Sequence, residues 1–363
     1  MTLVLLLLAH TTAAQTVKQQ KLASFQTAVR QSIGRDERKL ERGGKVYIRN
    51  LFGSIIITGW ERDTVEATTD DGMSPGIVFG QAPNAILTVS PAETTRDGHR
   101  VNLNVSLSHS AEIEVESVDG HVQIGGTTSR VVVRTRGGNV QATHIGSLIV
   151  TSQRGSVRVS GTTGAITIET GGSISVEDVG GNLVAKSTSN GDASVTNARG
   201  LVDLSVVNGG VRVRSADGDV RVASINSGVD IACVKGRVEV SNVNGSIGLS
   251  NIGGDVDATT SNSPIEFKGA INAGRRYRLK SHAASVSMAL SPDTPGFTAT
   301  LSSYHGGMET VFPLTVESPF SNRRLIGRYK DGGDGRTLVQ LDSFNGTIKL
   351  IKDAAVVTTN CRR

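Results

Sequence analysis

A nine-residue repeat occupies the middle of the chain and constrains its fold more than any other feature. From residue 111 the sequence falls into units of the form Gly-x-Val-x-Val-x-x-Val-Asn, as in 218–226, 227–235 and 236–244. Eighteen units begin at residues 111, 120, 129, 138, 146, 155, 164, 172, 181, 191, 200, 209, 218, 227, 236, 245, 254 and 263. Self-similarity at a short period is typical of proteins whose units stack on one another.

The apolar positions of each unit predict a strand with one buried face. Positions 3 and 5 are apolar and position 4 is usually polar, as in Val220, Arg221 and Val222, which is the period of two of a pleated strand. Position 8 is a third apolar residue, and we expect it to turn inward at the corner between strands. Glycine at position 1 allows a backbone conformation that a Cβ would obstruct. Because one short strand cannot bury these side chains, the units must share a stacked core.

Asparagines at a spacing of eighteen residues predict the size of one coil. The intervening units lack asparagine at the equivalent place, so two nine-residue units, and hence two strands, make one coil. A six-residue period, which would indicate three strands per coil, is absent. Stacked amides at one corner can hydrogen-bond along the stack. This predicted amide ladder consists of Asn190, Asn208, Asn226, Asn244 and Asn262.

Composition supports a thin, all-β core. Glycine accounts for 43 of 363 residues and aromatic residues for only 4%, which suits stacked β-branched side chains. We therefore predict a single parallel β-solenoid with two strands and about 18 residues per coil, and with atypical capping strands at both ends. The predicted organisation is a signal peptide at 1–14, a flexible leader at 15–42, N-terminal capping strands at 43–110, solenoid repeats at 111–271, C-terminal capping strands at 272–351 and a tail at 352–363.

The first residues favour export. A short apolar run at 3–9 is followed by Thr12, Ala13 and Ala14, small residues typical of a signal-peptide cleavage site. The run is too short to span a bilayer, so the mature chain is expected to have no integral membrane span. The expected location is the periplasm, the cell surface or the extracellular space.

The two cysteines do not form a disulfide framework or a zinc motif. Cys233 belongs to an apolar strand and is expected in the core, whereas Cys361 belongs to a polar tail. The sequence allows one disulfide between them.

Three stretches resemble the bacterial DUF4097 family, a group of mostly exported β-strand-repeat proteins labelled adhesins. The N-terminal stretch, 48–65, contains Phe-Gly-Ser-Ile-Ile-Ile-Thr-Gly-Trp, and the C-terminal ones, 302–314 and 341–350, contain Ser-Tyr-His-Gly-Gly and Ser-Phe-Asn-Gly. With the repeats between them, the resemblance covers 43–351. It implies a surface or periplasmic β-solenoid and carries no catalytic residues. The turn at 327–335 departs from the family pattern, because Lys, Asp and Asp interrupt its glycine run.

No catalytic residue, metal ligand or cofactor is predicted. The seven histidines are not paired at metal-ligand spacing, and position 6 lacks the aspartate of calcium-binding nine-residue repeats. The net charge of +5 is spread among interleaved acids and bases, so nucleic acid is not an expected partner. Arg221 and three acids share the outward position 4 of successive coils. A solvated ladder of charges is a simpler interpretation of this pattern than a polysaccharide-cleaving groove. The acids are Asp203, Glu239 and Asp257.

One apolar surface is predicted on the same sheet. We call it the apolar stripe, and it consists of Val132, Ile149, Thr167 and Val184 at outward position 4, with Leu201 and Ala165 beside them. Such a stripe is either a docking surface for a partner or a second copy, or it is covered by a cap or terminal strand.

The predicted function is that of a non-enzymatic, exported cell-envelope protein, an adhesin or interaction scaffold that binds through a solenoid face. Its partner is an unidentified protein or surface glycan, and self-association is a further expectation. The alternative is a carbohydrate-binding or polysaccharide-processing β-helix protein. A filament-forming scaffold is a third hypothesis.

Overall fold

The computed structural model describes residues 34–79, 86–91, 100–317, 323–333, 335–353 and 361. Within these ranges the elements are strands, apart from one 3-10 turn at Lys330–Gly332, so the all-β prediction is confirmed. The strands are β1 Arg35–Lys39, β2 Lys45–Phe52, β3 Ile55–Trp60, β4 Thr64–Thr69, β5 Gly76–Phe79, β6 Ile86–Ser90, β7 Leu103–Ser108, β8 Glu112–Asp119, β9 Val122–Thr135, β10 Val140–Ser152, β11 Val157–Thr162, β12 Ile166–Thr170, β13 Ile174–Val179, β14 Leu183–Asn190, β15 Ala193–Ala198, β16 Val202–Asn208, β17 Val211–Ala216, β18 Val220–Asn226, β19 Val229–Val234, β20 Val238–Asn244, β21 Ile247–Ile252, β22 Val256–Thr260, β23 Ile265–Gly269, β24 Arg276–Ser281, β25 Val286–Leu290, β26 Phe297–Ser303, β27 Met308–Thr310, β28 Thr315–Val316, β29 Arg324–Tyr329, β30 Leu338–Ser343 and β31 Ile348–Lys352.

The repeat strands form two parallel ladders, because each strand pairs with the strand two places further along the chain. The odd-numbered strands from β11 to β25 form ladder A, and the even-numbered strands from β12 to β24 form ladder B. In ladder B, Val202 lies opposite Val220, and Val220 lies opposite Val238, so partner residues are eighteen positions apart. Strands β9 and β10 are long enough to contribute to both ladders.

The chain order changes at both ends of the stack. At the N-terminal end, β2 lies between β6 and β8, and β3 lies between β7 and β9. At the C-terminal end, β30 lies between β24 and β26, and β31 lies between β25 and β27. A coil that is early or late in the sequence is therefore covered by a coil that lies nearer the middle of the sequence.

Antiparallel strands continue the ladders beyond these coils. Strand β4 pairs with β7 and β1 with β4, and β5 pairs with β6. At the other end β29 pairs with β26, and the two-residue β28 pairs with β29. Short and charged edge strands disfavour pairing with another chain.

The leader prediction is wrong for residues 35–39. They form β1, because their backbone pairs with β4. The sequence of β1, Arg-Asp-Glu-Arg-Lys, is charged throughout and mostly exposed. The predicted signal peptide at 1–14, the remainder of the leader at 15–33 and most of the tail lie outside the described residues.

A single hydrophobic core runs between the two ladders. Positions 3 and 5 face inward, so Val220 is 0% exposed and Val222 only 3%. Most core side chains are Val, Ile, Leu or Ala, as the composition predicted. Larger rings lie toward the C-terminal end, where Phe297 packs against Phe312 and Tyr329 at centroid distances of 5.4 and 5.3 Å.

The two corners of a coil differ, which corrects the prediction for position 8. At the corner after ladder A, position 7 adopts a left-handed backbone, as Ser215 does with φ 58°, and this re-phases the chain so that Ala216 at position 8 is buried. At the corner after ladder B the alternation continues, so Ser224 at position 7 is buried and Ile225 at position 8 is 45% exposed. We call these the left-handed corner and the amide corner. Six non-glycine residues share the left-handed corner, namely His144, Asp178, Asn197, Ser215, Cys233 and Asn251.

Candidate interaction surfaces

The apolar stripe lies along the outer face of ladder B. Val132 is opposite Ile149, Ile149 is opposite Thr167, and Thr167 is opposite Val184, so four residues from four coils form one row. Val132 and Ile149 are half-buried, Thr167 is exposed, and Val184 is 46% exposed. Neighbouring strands are about 4.8 Å apart, so the row is about 14 Å long.

Leu201 lies beside this row and not in it. Its carbonyl oxygen accepts a hydrogen bond from the Leu183 amide at 2.8 Å, and its own amide donates to Oδ1 of Asn182 at 3.0 Å. The next residue of the row itself is Asp203, which is opposite Val184. The apolar row therefore ends at a carboxylate.

Charged residues continue the row on both sides. Beyond Asp203 come Arg221, Glu239 and Asp257 in successive coils. Arg221 lies 4.0 Å from Glu239, and Arg278 lies 3.6 Å from Asp257. These are exposed ion pairs, each worth about 0–1 kcal/mol, and they limit the apolar part of the face to the stripe.

Tyr47 belongs to the same row on the N-terminal side of the stripe. It is opposite Glu114, which is in turn opposite Val132. Its hydroxyl donates a hydrogen bond to Glu116. Partial burial, followed by this hydrogen bond, raises the pKa of Tyr47 to about 12, so the phenol is neutral near pH 7.

The five residues of the amide ladder meet at the amide corner. Each side-chain amide after that of Asn190 donates from Nδ2 to Oδ1 of the preceding asparagine. The bonds join Asn208 to Asn190 at 3.0 Å, Asn226 to Asn208 at 2.9 Å, Asn244 to Asn226 at 2.8 Å and Asn262 to Asn244 at 2.7 Å. Each amide retains one N–H and further acceptor capacity for solvent or a ligand.

Alanine at the middle of the amide ladder should cost more stability than alanine at its end. Asn226→Ala removes two of these bonds and Asn190→Ala removes one. At about 0.5–1.5 kcal/mol for each bond, we expect losses of about 2 and about 1 kcal/mol in the free energy of unfolding. Urea denaturation of both variants measures the difference. Equal losses would show that the amides do not act as a connected ladder.

A row of exposed apolar residues runs beside the amide ladder. It follows from the outward direction of position 8 at this corner and includes Ile225 and Val243, which are 45% and 40% exposed. Sequence reasoning missed this row because it placed every position 8 in the core. The available signal was the Ser, Asn or Thr at position 7 of these units, residues that the structure buries in place of the apolar neighbour.

Toward the C-terminal end this corner carries a column of rings that we call the aromatic stack. The ring of Phe344 lies parallel to that of His282 at 4.9 Å and to that of Tyr304 at 4.9 Å, with interplanar angles of 13° and 6°. The guanidinium carbon of Arg323 lies 4.1 Å from the centre of the Tyr304 ring. The rings are stacked because their strands are: the Tyr304 amide donates to the Ser343 carbonyl at 3.2 Å.

Ladder A carries a polar groove near its N-terminal end. A cavity of about 670 Å³ is bordered by one outward row, Ile56, Gln123, Gln141, Arg158 and Ser175, together with neighbouring hydroxyl and amide side chains. Gln123 lies opposite Gln141, and Gln141 opposite Arg158. The groove therefore presents uncharged hydrogen-bonding groups and one cation.

Cys233 and Cys361 form a disulfide that links residues 128 positions apart. The prediction that Cys233 is a core residue is wrong. It lies half-exposed at the left-handed corner with φ 60°, because the re-phasing that buries Val234 turns position 7 outward.

In the described ranges, no group of three or more His, Cys, Asp or Glu side chains is arranged to hold a metal ion. No helix in the part of the chain that the structure describes is long and apolar enough to cross a membrane.

No family model matches the sequence, and no curated protein matches it. Two solved structures are similar at low identity. One, a "putative cell adhesion protein" from Clostridium sporogenes ATCC 15579, is 11% identical, with 88% of this chain and 99% of that chain covered and a TM-score of 0.19. The other, a "putative adhesin" from Bacteroides fragilis NCTC 9343, is 11% identical, with 88% and 96% covered and a TM-score of 0.27. Neither likeness is high enough to carry an argument about function.

Proposed function

We propose that this chain is a non-catalytic, exported cell-envelope protein of the adhesin or scaffold type, built as a solenoid of two strands and about eighteen residues per coil. It binds its partner, a protein or a surface glycan, through the outer face of the coils. The observation that carries the proposal is the exposure of the apolar stripe, with Val184 at 46%. A face that alternates acids and bases elsewhere leaves these four residues uncharged, two of them exposed and two half-buried, and such patches mark interaction sites.

The disulfide supports export. Disulfides persist in the periplasm and outside the cell and are rare in the cytosol. Cys233 and Cys361 are the two cysteines of the chain, and they are bonded to each other. A chain that keeps this bond during its lifetime belongs in an oxidising compartment.

A non-catalytic role is supported by what the carboxylates contact. Glu239 lies 4.0 Å from Arg221, and Asp257 lies 3.6 Å from Arg278. General acid and base catalysis requires a carboxyl group placed against a bound substrate. Here the candidate carboxylates contact arginines on a flat, solvated strand face.

A second candidate function is carbohydrate binding in the ladder A groove. Its amide and hydroxyl side chains, spaced one strand apart, offer both donors and acceptors to a sugar. The 670 Å³ volume favours this reading, since it is within the range of small-molecule sites. The filament hypothesis is disfavoured by the charged β1 and the two-residue β28 at the outer edges.

Lysines in the apolar stripe should abolish binding and leave the fold intact. We expect the double variant Ile149→Lys, Val184→Lys to fold like the parent, because neither side chain faces the core. Static light scattering measures self-association, and fractionation of producing cells measures retention on the envelope. We expect association and retention to fall at least fivefold, by analogy with charges placed at an apolar contact.

The matched control is Ile225→Lys, Val243→Lys, which adds the same two charges to exposed apolar residues at the amide corner. If both double variants behave like the parent, the stripe is not the interface. A parent chain recovered from the cytosol with free thiols would contradict export.

A further inference from the structure

In the described residues, the exposed aromatic rings lie next to one another. Aromatic residues make up only 4% of the chain. Among the large hydrophobic side chains exposed in the described residues, the two aromatic ones are Tyr304 at 45% and Phe344 at 41%. They are adjacent in the aromatic stack. Burial in the core does not account for these rings, and exposed aromatic clusters of this kind mark binding sites.

The geometry of the stack determines which part of each ring is accessible. Phe344 has His282 against one face and Tyr304 against the other, and the second face of Tyr304 is covered by Arg323. The ring of His305 lies nearly perpendicular to that of Phe344 at 5.3 Å. The exposed surface of Phe344 is therefore the rest of its edge, which carries the positive part of the ring quadrupole. A nucleobase stacks on a free ring face, and none is available here, whereas an anionic group can contact the positive ring edge.

The rings border a cavity of about 300 Å³ whose other lining is polar. Lys280 lines it from β24, Asp342 from β30 and Ser302 from β26, three strands stacked in that order. Arg323 lies at the Tyr304 end. Lys280 and Arg323 form no ion pair with any other residue that the structure describes, so their N–H donors remain available for a ligand. We call this cavity the aromatic groove.

We propose that the aromatic groove binds an acidic sugar residue of a glycan. Its carboxylate or sulfate accepts hydrogen bonds from Lys280 and Arg323, and its hydroxyl groups donate to Asp342 and Ser302. This inference rests on the proposed envelope-binding function and names the ligand class. Both parts of the site are needed: two cations select the acid group, and one carboxylate between them selects hydroxyl donors.

The carboxylate is what separates a sugar from a simple anion or an acidic peptide. Asp342 already accepts a hydrogen bond from Nε2 of Gln340 at 2.7 Å, so it is held in place with acceptor capacity to spare. A sulfate ion or a glutamate side chain, both fully ionised near pH 7, offers no hydroxyl donor and is repelled by it. An acidic sugar carries several hydroxyl groups on the same ring as its acid group. These hydroxyl groups can donate hydrogen bonds to Asp342, which offsets the repulsion between the two acid groups.

Calorimetric titration of the full chain tests the proposal with three probes at one ionic strength. The probes are an oligogalacturonate, which carries carboxylates, a heparin-derived oligosaccharide, which carries sulfates, and a neutral cello-oligosaccharide. We expect one acidic probe to bind at least tenfold more tightly than the neutral one, and which one binds identifies the acid group. Lys280→Ala and Arg323→Ala should each weaken that binding about tenfold, as expected for a charge-assisted hydrogen bond.

The control is Arg158→Ala, which removes an exposed cation from the ladder A groove and should change the affinity less than twofold. An equal loss for Arg158→Ala would show general attraction to a chain of net charge +5, or binding in the other groove, and would overturn the proposal. Asp342→Ala should weaken sugar binding, and tighter binding would identify a simple anion site. Circular dichroism confirms the fold of each variant. Because purified protein is used, failure here is distinct from failure of export or of the apolar stripe.

Discussion

Replacing Gly218 with alanine is expected to lower the free energy of unfolding by about 3 kcal/mol. A Cβ on this residue would lie 2.4 Å from the carbonyl oxygen of Gly200 and 2.6 Å from its carbonyl carbon. Both atoms belong to the backbone of the preceding coil, so no rotamer change relieves the contact. Urea denaturation with circular dichroism measures the loss.

The coils cannot separate to accommodate the added methyl group, because the same contact recurs above and below. A Cβ on Gly200 would lie 2.5 Å from the oxygen of Gly181, and one on Gly236 would lie 2.5 Å from the oxygen of Gly218. A shift that relieves one contact therefore tightens the next one. The glycines of this column are required by the distance between coils, and we expect the cost to be similar along its length.

Gly228→Ala is the matched control, since a Cβ there meets nothing within 4 Å and its φ lies outside the left-handed region. Alanine at such a site restricts the unfolded chain, so we expect a change between zero and a gain of about 1 kcal/mol. If Gly218→Ala is as stable as Gly228→Ala, the coils are not in backbone contact at this corner.

Much of the fold follows from the repeat because the repeat is a local rule. Val220 and Val222 alternate with polar residues, and the structure buries both. Asparagines eighteen residues apart lie opposite one another, as Asn208 and Asn226 do. Each of these outcomes depends on one strand and the strand stacked on it, and every coil repeats the same signal.

The corners were harder to predict because a single backbone angle decides them. Ile225 and Val234 both occupy position 8 of a unit, yet one is exposed and the other is buried. The difference comes from the left-handed conformation of Cys233, which has no counterpart before Ile225. Asn and Asp are enriched in that conformation, so Asp178, Asn197 and Asn251 were a readable signal, whereas Ser215 and Cys233 were not.

The order of the end coils and the aromatic groove depend on contacts between distant parts of the sequence. Strand β30 enters between β24 and β26, which places Phe344 between His282 and Tyr304. Sequence reasoning singled out 302–314 and 341–350 by resemblance, but nothing local to either stretch shows that they are neighbours. The aromatic stack exists only after the two segments have been placed in adjacent coils.

Cys361→Ser is expected to cost about 4 kcal/mol of stability under oxidising conditions. The disulfide closes a loop with a sequence separation of 128 residues, and closing a loop of this length removes that much chain entropy from the unfolded state. Cys233 lies in β19, and the strands stacked after β19 are β21, β23, β25 and β31 in turn. The bond therefore ties the tail to a coil about four strands back from β31, about 19 Å away.

Because of this position, the disulfide is expected to stabilise the coils that it spans. Stacked repeats unfold from their ends, since a terminal coil has one neighbour where an inner coil has two. With the bond intact, β25 and β31 lose less entropy on folding than free end coils do. In Cys361→Ser we therefore expect faster amide hydrogen exchange in β21, β23, β25 and β31 than in ladder A strands from β11 to β17.

Reductant supplies the matched comparison. It should lower the melting temperature of the parent to that of Cys361→Ser and leave the variant unchanged, because the variant has no bond to lose. Cys233→Ser should behave in the same way, since Ser215 already adopts a φ of 58° in the same column and serine is therefore compatible with the backbone there. If reductant leaves the melting temperature of the parent unchanged, the hydrogen-bonded ladders alone stabilise the C-terminal coils. The fold would then not require an oxidising compartment, and the proposal of export would lose its main support.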